Sequence, residues 1–175
     1  AGDDGNRHAE DYQRAVPDIE LWIALRTARL DDATRSAIGS GMRQVVILGA
    51  GLDTRAARLA REGVRYFEVD MPSSQRQKLT RLRALQGYPV DAATYVETDF
   101  ERDDFIDRLI AEGFDASEPA FFVWEGVSYY LTEAAVRATL GRVAAATHPR
   151  SAIVFDYFGA KFVTGGGGDS LDKSA

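Results

Sequence analysis

The sequence predicts an α/β protein on a doubly wound, mostly parallel sheet, and three features carry that prediction. Short apolar or β-branched runs alternate with segments of helical spacing from Gln44 to Tyr157. The first run, Val45 to Leu48, breaks at Gly49-Ala50-Gly51 and hands over to a helix start, the strand–turn–helix unit of such sheets. Every run also ends in a glycine turn or an acid: Gly49 to Asp53, Asp70, Asp99-Phe100, Glu125 and Asp156. In a parallel sheet those ends share one edge, where ligands collect at the switch point.

Residues 1–17 are polar, contain Gly2, Gly5 and Pro17, and read as a mobile arm. From Asp18 a helical pattern places Ile19, Trp22, Ile23, Arg26 and Leu30 roughly along one side and ends near Gly39 and Gly41. Arg26, Arg29 and Arg35 are expected in solvent or paired with Glu20, Asp31 and Asp32. Val45 to Leu48 suits a strand covered on both faces. After the glycine turn Asp53 is the expected N-cap of a helix over Thr54 to Glu62, stopped by Gly63. Val64 to Asp70 is the second strand. Pro72 starts a turn, and Ser74 to Gln86 is a helix with Leu79, Leu82 and Leu85 inward and Arg76, Lys78, Arg81 and Arg83 outward.

Thr94 to Asp99 is the third strand, and Phe105 to Glu112 a helix closed by Gly113. Ala120 to Trp124 is the fourth strand, and Thr132 caps the helix that follows. Pro149 separates that helix from the fifth strand, Ala152 to Tyr157. The glycine-rich stretch Gly165 to Gly168 marks a linker or tail. The expected division is residues 1–40 as arm and helical cap, 41–158 as the core, and 159–175 as a flexible tail or truncated end.

Composition narrows the partners. A net charge of -6 disfavours a nucleic-acid surface, which needs clustered Lys and Arg, and points to a small-molecule or peptide substrate. Without cysteine there is no disulfide framework or thiolate zinc site, and no metal site is expected. No apolar run approaches the about eighteen residues of a membrane span, and no signal peptide is visible, so a cytoplasmic location is expected. Oligomeric state is not legible.

At the glycine turn, two residues without Cβ let backbone approach a ligand closely, although an ordinary tight turn has the same look. The pattern G-x-G-x-x-T puts Thr54 where the dinucleotide fingerprint has its third glycine. Asp70 stands nineteen positions after Gly51, near the spacing at which a carboxylate accepts hydrogen bonds from both ribose hydroxyls.

Taken together, GAGLDTR, FEVDMP with Lys78, TDFERDDF, GFD at Gly113 to Asp115 and WEGVSYYL resemble the leucine carboxyl methyltransferase family. Within these class I, S-adenosylmethionine-dependent enzymes, the likeness is to a bacterial, actinobacterial O-methyltransferase branch. It spans about Trp22 to Tyr157. The resemblance implies a Rossmann-like sheet of order 3-2-1-4-5 and S-adenosylmethionine as cofactor. It implies that Gly49, Ala50, Gly51 and Asp53 lie against the methionine half, with Arg26 on its carboxylate. Asp70 would hold the ribose, and Asp99 with the backbone of Phe100 the adenine edge. Glu125 would sit near the methionine amino group or the pocket mouth, and Tyr130 would face the substrate; these two are the catalytic candidates. Family members continue through two more strands and a substrate-covering insertion, so the final strands are expected to be missing from this chain or supplied by a partner.

Methyl transfer from a sulfonium is a direct displacement, governed by alignment in a dry pocket. A carboxylate acceptor needs no base at neutral pH, whereas a phenol or alcohol usually does. The natural base, histidine, is scarce: His148 precedes the fifth strand at the wrong end of the sheet, and His8 lies in the arm. A carboxylate acceptor is therefore favoured, with Asp156 or Glu125 as the base otherwise. Trp124, Tyr129 and Tyr130 are candidates for cation–π contact with the sulfonium, or for the core. Two rivals stand beside this reading. One is an NAD(P)-dependent oxidoreductase, for which Tyr157 and Lys161 mimic a Tyr-x-x-x-Lys pair. The other is a catalytically silent cofactor-binding module.

Overall fold

The computed structural model describes residues 18–100 and 102–159. Its five strands are β1 (Gln44–Leu48), β2 (Arg65–Asp70), β3 (Thr94–Glu97), β4 (Ala120–Trp124) and β5 (Ala152–Phe155). They form one sheet of order β3-β2-β1-β4-β5 in which every pairing is parallel. Val46 faces Phe67 on one side and Phe122 on the other, so the central strand carries apolar neighbours across both of its ladders. Every residue of β1 and of β4 is buried, as their unbroken apolar runs require.

Among the described residues five α-helices cover the two faces: α1 (Ile19–Gly39), α2 (Arg55–Arg58), α3 (Pro72–Arg83), α4 (Phe105–Ala111) and α5 (Glu133–Ala146). Alternate residues of the strands divide between them. Val46, Leu48, Phe67, Val69, Phe122 and Trp124 join Phe105, Ile106 and Leu109 of α4 and Val143 of α5. Val45, Ile47, Tyr66, Phe121 and Val123 join Leu30, Ala37 and Ile38 of α1 and Ala56 of α2.

Several boundaries differ from expectation, each for a visible reason. The helix expected over Thr54 to Glu62 is the single turn α2, because the Leu59 carbonyl accepts the Tyr66 hydroxyl at 2.7 Å and Gly63 takes a φ of 74°. Thr54 occupies the cap position, while Asp53 caps from one residue earlier through its Oδ1, which accepts the Arg55 N–H at 2.6 Å. Pro72 opens α3 rather than a preceding turn, its missing N–H costing nothing at a first helical position. That helix ends at Arg83, leaving Leu85 exposed, and Lys78, expected outward, is buried. β5 stops at Phe155, where the Asp156 carboxylate turns to the backbone of Gly126.

The N-terminal half of α1 is more open than its apolar spacing suggests: Leu21, Trp22, Ile23 and Leu25 are exposed. The expected arm, with His8, and the expected tail from residue 160, with Lys161, lie outside the described residues. Among the described residues no helix is long and apolar enough to cross a membrane.

Candidate functional site

Parallel pairing brings the carboxyl ends of the strands to one edge, and a cavity of about 520 Å³ opens there. Arg26, Gly49, Ala50, Gly51, Asp53 and Glu125 all line it, so six of the expected site residues meet in one place. Tyr129 and Arg55 line it as well.

The two glycines serve different ends. Gly49 has a φ of 63°, and a Cβ there would stand 2.6 Å from Val127 Cγ2, so the protein's own loop after β4 demands glycine. Gly51, at a φ of 45°, has nothing closer than 3.9 Å in the direction of a Cβ, so its open side is left to the cavity. Asp70 fixes this turn from the end of β2: its Oδ2 accepts the Gly51 N–H at 2.5 Å and its Oδ1 the Met71 N–H at 2.6 Å. A carboxylate offers about four acceptor sites, so lone pairs remain for hydroxyl donors.

A network of ion pairs also lines the cavity. Arg26 of α1 donates from Nε to Glu125 Oε1 at 2.8 Å, and from Nη1 to Asp156 Oδ2 at 3.0 Å and the Tyr129 hydroxyl at 3.2 Å. Its guanidinium also lies 4.6 Å from the ring centre of Trp22. Thr27 Oγ1 donates to the same Glu125 oxygen at 2.9 Å. Behind them Arg55, 1% exposed, reaches Glu125 Oε2 at 2.5 Å, Asp31 Oδ1 at 2.8 Å and the Asp53 carboxylate. Arg58 closes on Asp31 from outside.

Burial works to raise the Glu125 carboxyl, but the Arg55 charge and the bonds from Arg26, Arg55 and Thr27 outweigh it and hold the group below its ordinary value. Glu125 is thus an ionised carboxylate held by Arg26, Thr27 and Arg55, with an acceptor site to spare but poorly suited to the role of general base. Asp156 is engaged likewise, accepting the Gly126 N–H at 2.7 Å besides Arg26.

The remaining expected residues lie apart. Asp99 and Phe100 follow β3; Phe100 lines a second cavity of about 360 Å³ beside α4 and α5, with Asp103, Thr139 and Arg142. Tyr130 is 79% exposed and rests on Tyr129, ring centres 4.8 Å apart. Trp124, a candidate for the sulfonium, is fully buried in the α4/α5 face against Phe155 and does not touch the cavity. His148 accepts the Arg150 N–H before β5, away from the cavity. Tyr157 follows β5 in a segment that is not helical, so it lacks the helix that a Tyr-x-x-x-Lys pair needs.

Arg55 and Asp31 were missed as site residues. Arg55 stands inside the quoted GAGLDTR stretch, and the signal for it was the gathering of Asp53 and Glu125 at one edge, a concentration of negative charge that needs a buried cation. Asp31, expected with Glu20 and Asp32 as a partner for the arginines of its own helix, meets Arg35 only at 3.9 Å and is held instead by Arg55 and Arg58.

The cavity lies at the switch point of a parallel sheet, and the chain belongs to the leucine carboxyl methyltransferase family, whose model it matches over residues 2–144. A Streptomyces coelicolor protein provisionally named an S-adenosyl-L-methionine-dependent methyltransferase is 43% identical over 126 residues, which cover 71% of this chain and 44% of that protein. The chain spans about half the length of the curated relatives it matches. Solved structures share the fold, among them these two. A DUF574-family protein from Streptomyces avermitilis has a TM-score of 0.66 at 17% identity, covering 91% of this chain and 63% of that one. The glycopeptide N-methyltransferase MtfA, solved with S-adenosyl-L-methionine, has a TM-score of 0.50 at 18% identity, covering 72% and 53%.

Proposed function

We propose that this chain is the cofactor-binding part of an S-adenosyl-L-methionine-dependent methyltransferase acting on an oxygen, with a carboxylate of a small molecule or peptide as the favoured acceptor. The observation that carries the cofactor is the Arg26–Glu125 pair, 2.8 Å apart in the cavity that the glycine turn also lines. A guanidinium beside a carboxylate is complementary to the paired carboxylate and ammonium of an amino acid. Arg26 would take the carboxylate, Glu125 the ammonium, the turn at Gly49, Ala50, Gly51 and Asp53 the methionine chain, and Asp70 the ribose. Asp99 and Phe100, beyond β3, are proposed for the adenine edge. The relatives' name supports the same reading.

Bound there, the cofactor supplies an electrophilic methyl on sulfur. The protein's task is then to align an acceptor and exclude water. Tyr130, beside Tyr129 at the cavity rim, is proposed for the acceptor side. Support for a carboxylate acceptor comes from the commitment of the candidate bases: Glu125 and Asp53 at the cavity, and Asp156 behind Arg26, are each paired with a guanidinium group. The N-methylating relative in fold makes an amine the rival acceptor.

Thermal unfolding with S-adenosylhomocysteine, NAD and NADP tests the cofactor. A melting temperature that rises with S-adenosylhomocysteine concentration is expected, and stabilisation by a nicotinamide nucleotide alone would overturn the reading. Methyl-labelled cofactor incubated with carboxylate, phenol and amine panels then tests the acceptor. Label on carboxylates is expected, and transfer confined to phenols or amines removes that preference.

A further inference from the structure

We propose that Lys78 is a positioning residue for the cavity loop, holding residues 50–54 from beneath through the carbonyl of Asp53. Lys78 lies on α3 and Glu68 on β2, each 2% exposed, with Nζ 2.5 Å from Glu68 Oε2. A buried pair of this kind is weak evidence for stability, since apolar residues of like volume usually serve a core as well. What distinguishes this one is a third member: Nζ also donates to the Asp53 carbonyl oxygen at 2.6 Å. A buried ammonium has three N–H groups and no acceptor of its own, so it is well suited to tie a strand carboxylate to a loop carbonyl.

The tie leads into the cavity wall. The Asp53 carboxylate accepts the Arg55 N–H and meets the Arg55 guanidinium, which in turn holds Glu125 at 2.5 Å. Lys78 therefore sets the backbone at the point from which Arg55, and through it Glu125, is aimed. Gln75, one turn earlier on α3, anchors the helix to the sheet by donating to the carbonyls of Glu68 at 2.8 Å and Val96 at 2.9 Å. The lysine thus hangs from a fixed support, and the loop is the part it steadies. Its effect on cofactor affinity rests on the methyltransferase reading above; its effect on the loop does not.

The experiment compares amide hydrogen exchange and S-adenosylhomocysteine affinity in three variants. Lys78→Met alone leaves Glu68 buried and unpaired and risks misfolding, so Glu68→Leu/Lys78→Met removes both charges and still deletes the donor to Asp53. Leu109→Ala, in the core on the far face of the sheet, controls for general destabilisation. In the ligand-free double variant, exchange at residues 50–55 is expected to rise about tenfold relative to β1 and β4, the scale of one lost hydrogen bond to a charged group. Leu109→Ala is expected to show no such local excess. Equal or uniformly raised exchange in the double variant overturns the proposal. S-adenosylhomocysteine affinity is expected to fall about tenfold in the double variant and to hold in Leu109→Ala. Failure of the wild type to bind S-adenosylhomocysteine counts against the cofactor reading, while the exchange ratio still decides the role of Lys78.

Discussion

At Gly49 the chain leaves β1 with a φ of 63°, a conformation that side chains with a Cβ adopt at a cost, and Val127 occupies the space a Cβ would need. Gly49→Ala is therefore expected to destabilise the fold by about 1–3 kcal/mol through backbone strain and overpacking together. Chemical denaturation measures this, and adding Val127→Ala is expected to recover the overpacking share. Full additivity of the two substitutions would mean that the contact does not matter. Lys78 and Arg55 show where reading by residue type runs out. A lysine among Arg76, Arg81 and Arg83 looks like part of a solvated stripe, and only the fold reveals that Glu68, ten positions back on a strand, lies beneath it. Arg55 draws its partners from α1, the glycine-turn loop and the end of β4, and only the gathering of acids at one sheet edge, not local spacing, hints at its place.

Central strands were legible almost to the residue, because a doubly covered strand must be apolar on both faces, and Ala120 to Trp124 satisfies that over its whole length, whereas the outer strands expected to run to Asp99 and Tyr157 stop at Glu97 and Phe155. Helices were legible where a cap and a packed stripe agree. Thr132 heads α5 and accepts the Ala135 N–H through Oγ1 at 3.2 Å, as its position before the apolar spacing suggested. Thr132→Ala is expected to lower stability by about 1 kcal/mol, with Thr132→Ser close to wild type. Urea midpoints of the three proteins check this; a serine variant as weak as the alanine would show that the hydroxyl is not the stabilising group. Where cap and stripe disagreed with a tertiary partner, the partner won. The apolar spacing Ala56, Leu59 and Ala60 promised more than one turn, yet the Tyr66 hydroxyl takes the Leu59 carbonyl and α2 ends.

Across the whole molecule the sheet gathers acids at one edge, a pattern visible in the sequence, and balances them with cations whose placement was not. That balance sets how stability depends on pH, and its parts oppose one another. Burial tends to raise the Asp31 carboxyl, but Arg58 and Arg55 prevail and hold it below its ordinary 3.8, as Arg55 and Arg26 hold Glu125 below 4.5. Both contribute stability above those ordinary values and lose it as acid protonates the folded protein. Glu68 has the reverse sign: burial pushes it up to about 7 against the pull of Lys78. Between 4.5 and about 7 the unfolded chain has already released the proton that folded Glu68 keeps, so rising pH favours unfolding and this contribution is lost. Stability is thus expected to peak on the mildly acidic side, falling towards stronger acid through Asp31 and Glu125 and towards neutrality through Glu68. Urea midpoints followed from about pH 3 to 8 test this, with Glu68→Gln as the deciding variant. Whatever its absolute stability, the variant is expected to lose the decline between 4.5 and about 7 and to keep the acid limb, because Asp31 and Glu125 are untouched. An undiminished decline in Glu68→Gln would assign that limb to another group and leave Glu68 ionised in its pair with Lys78 throughout.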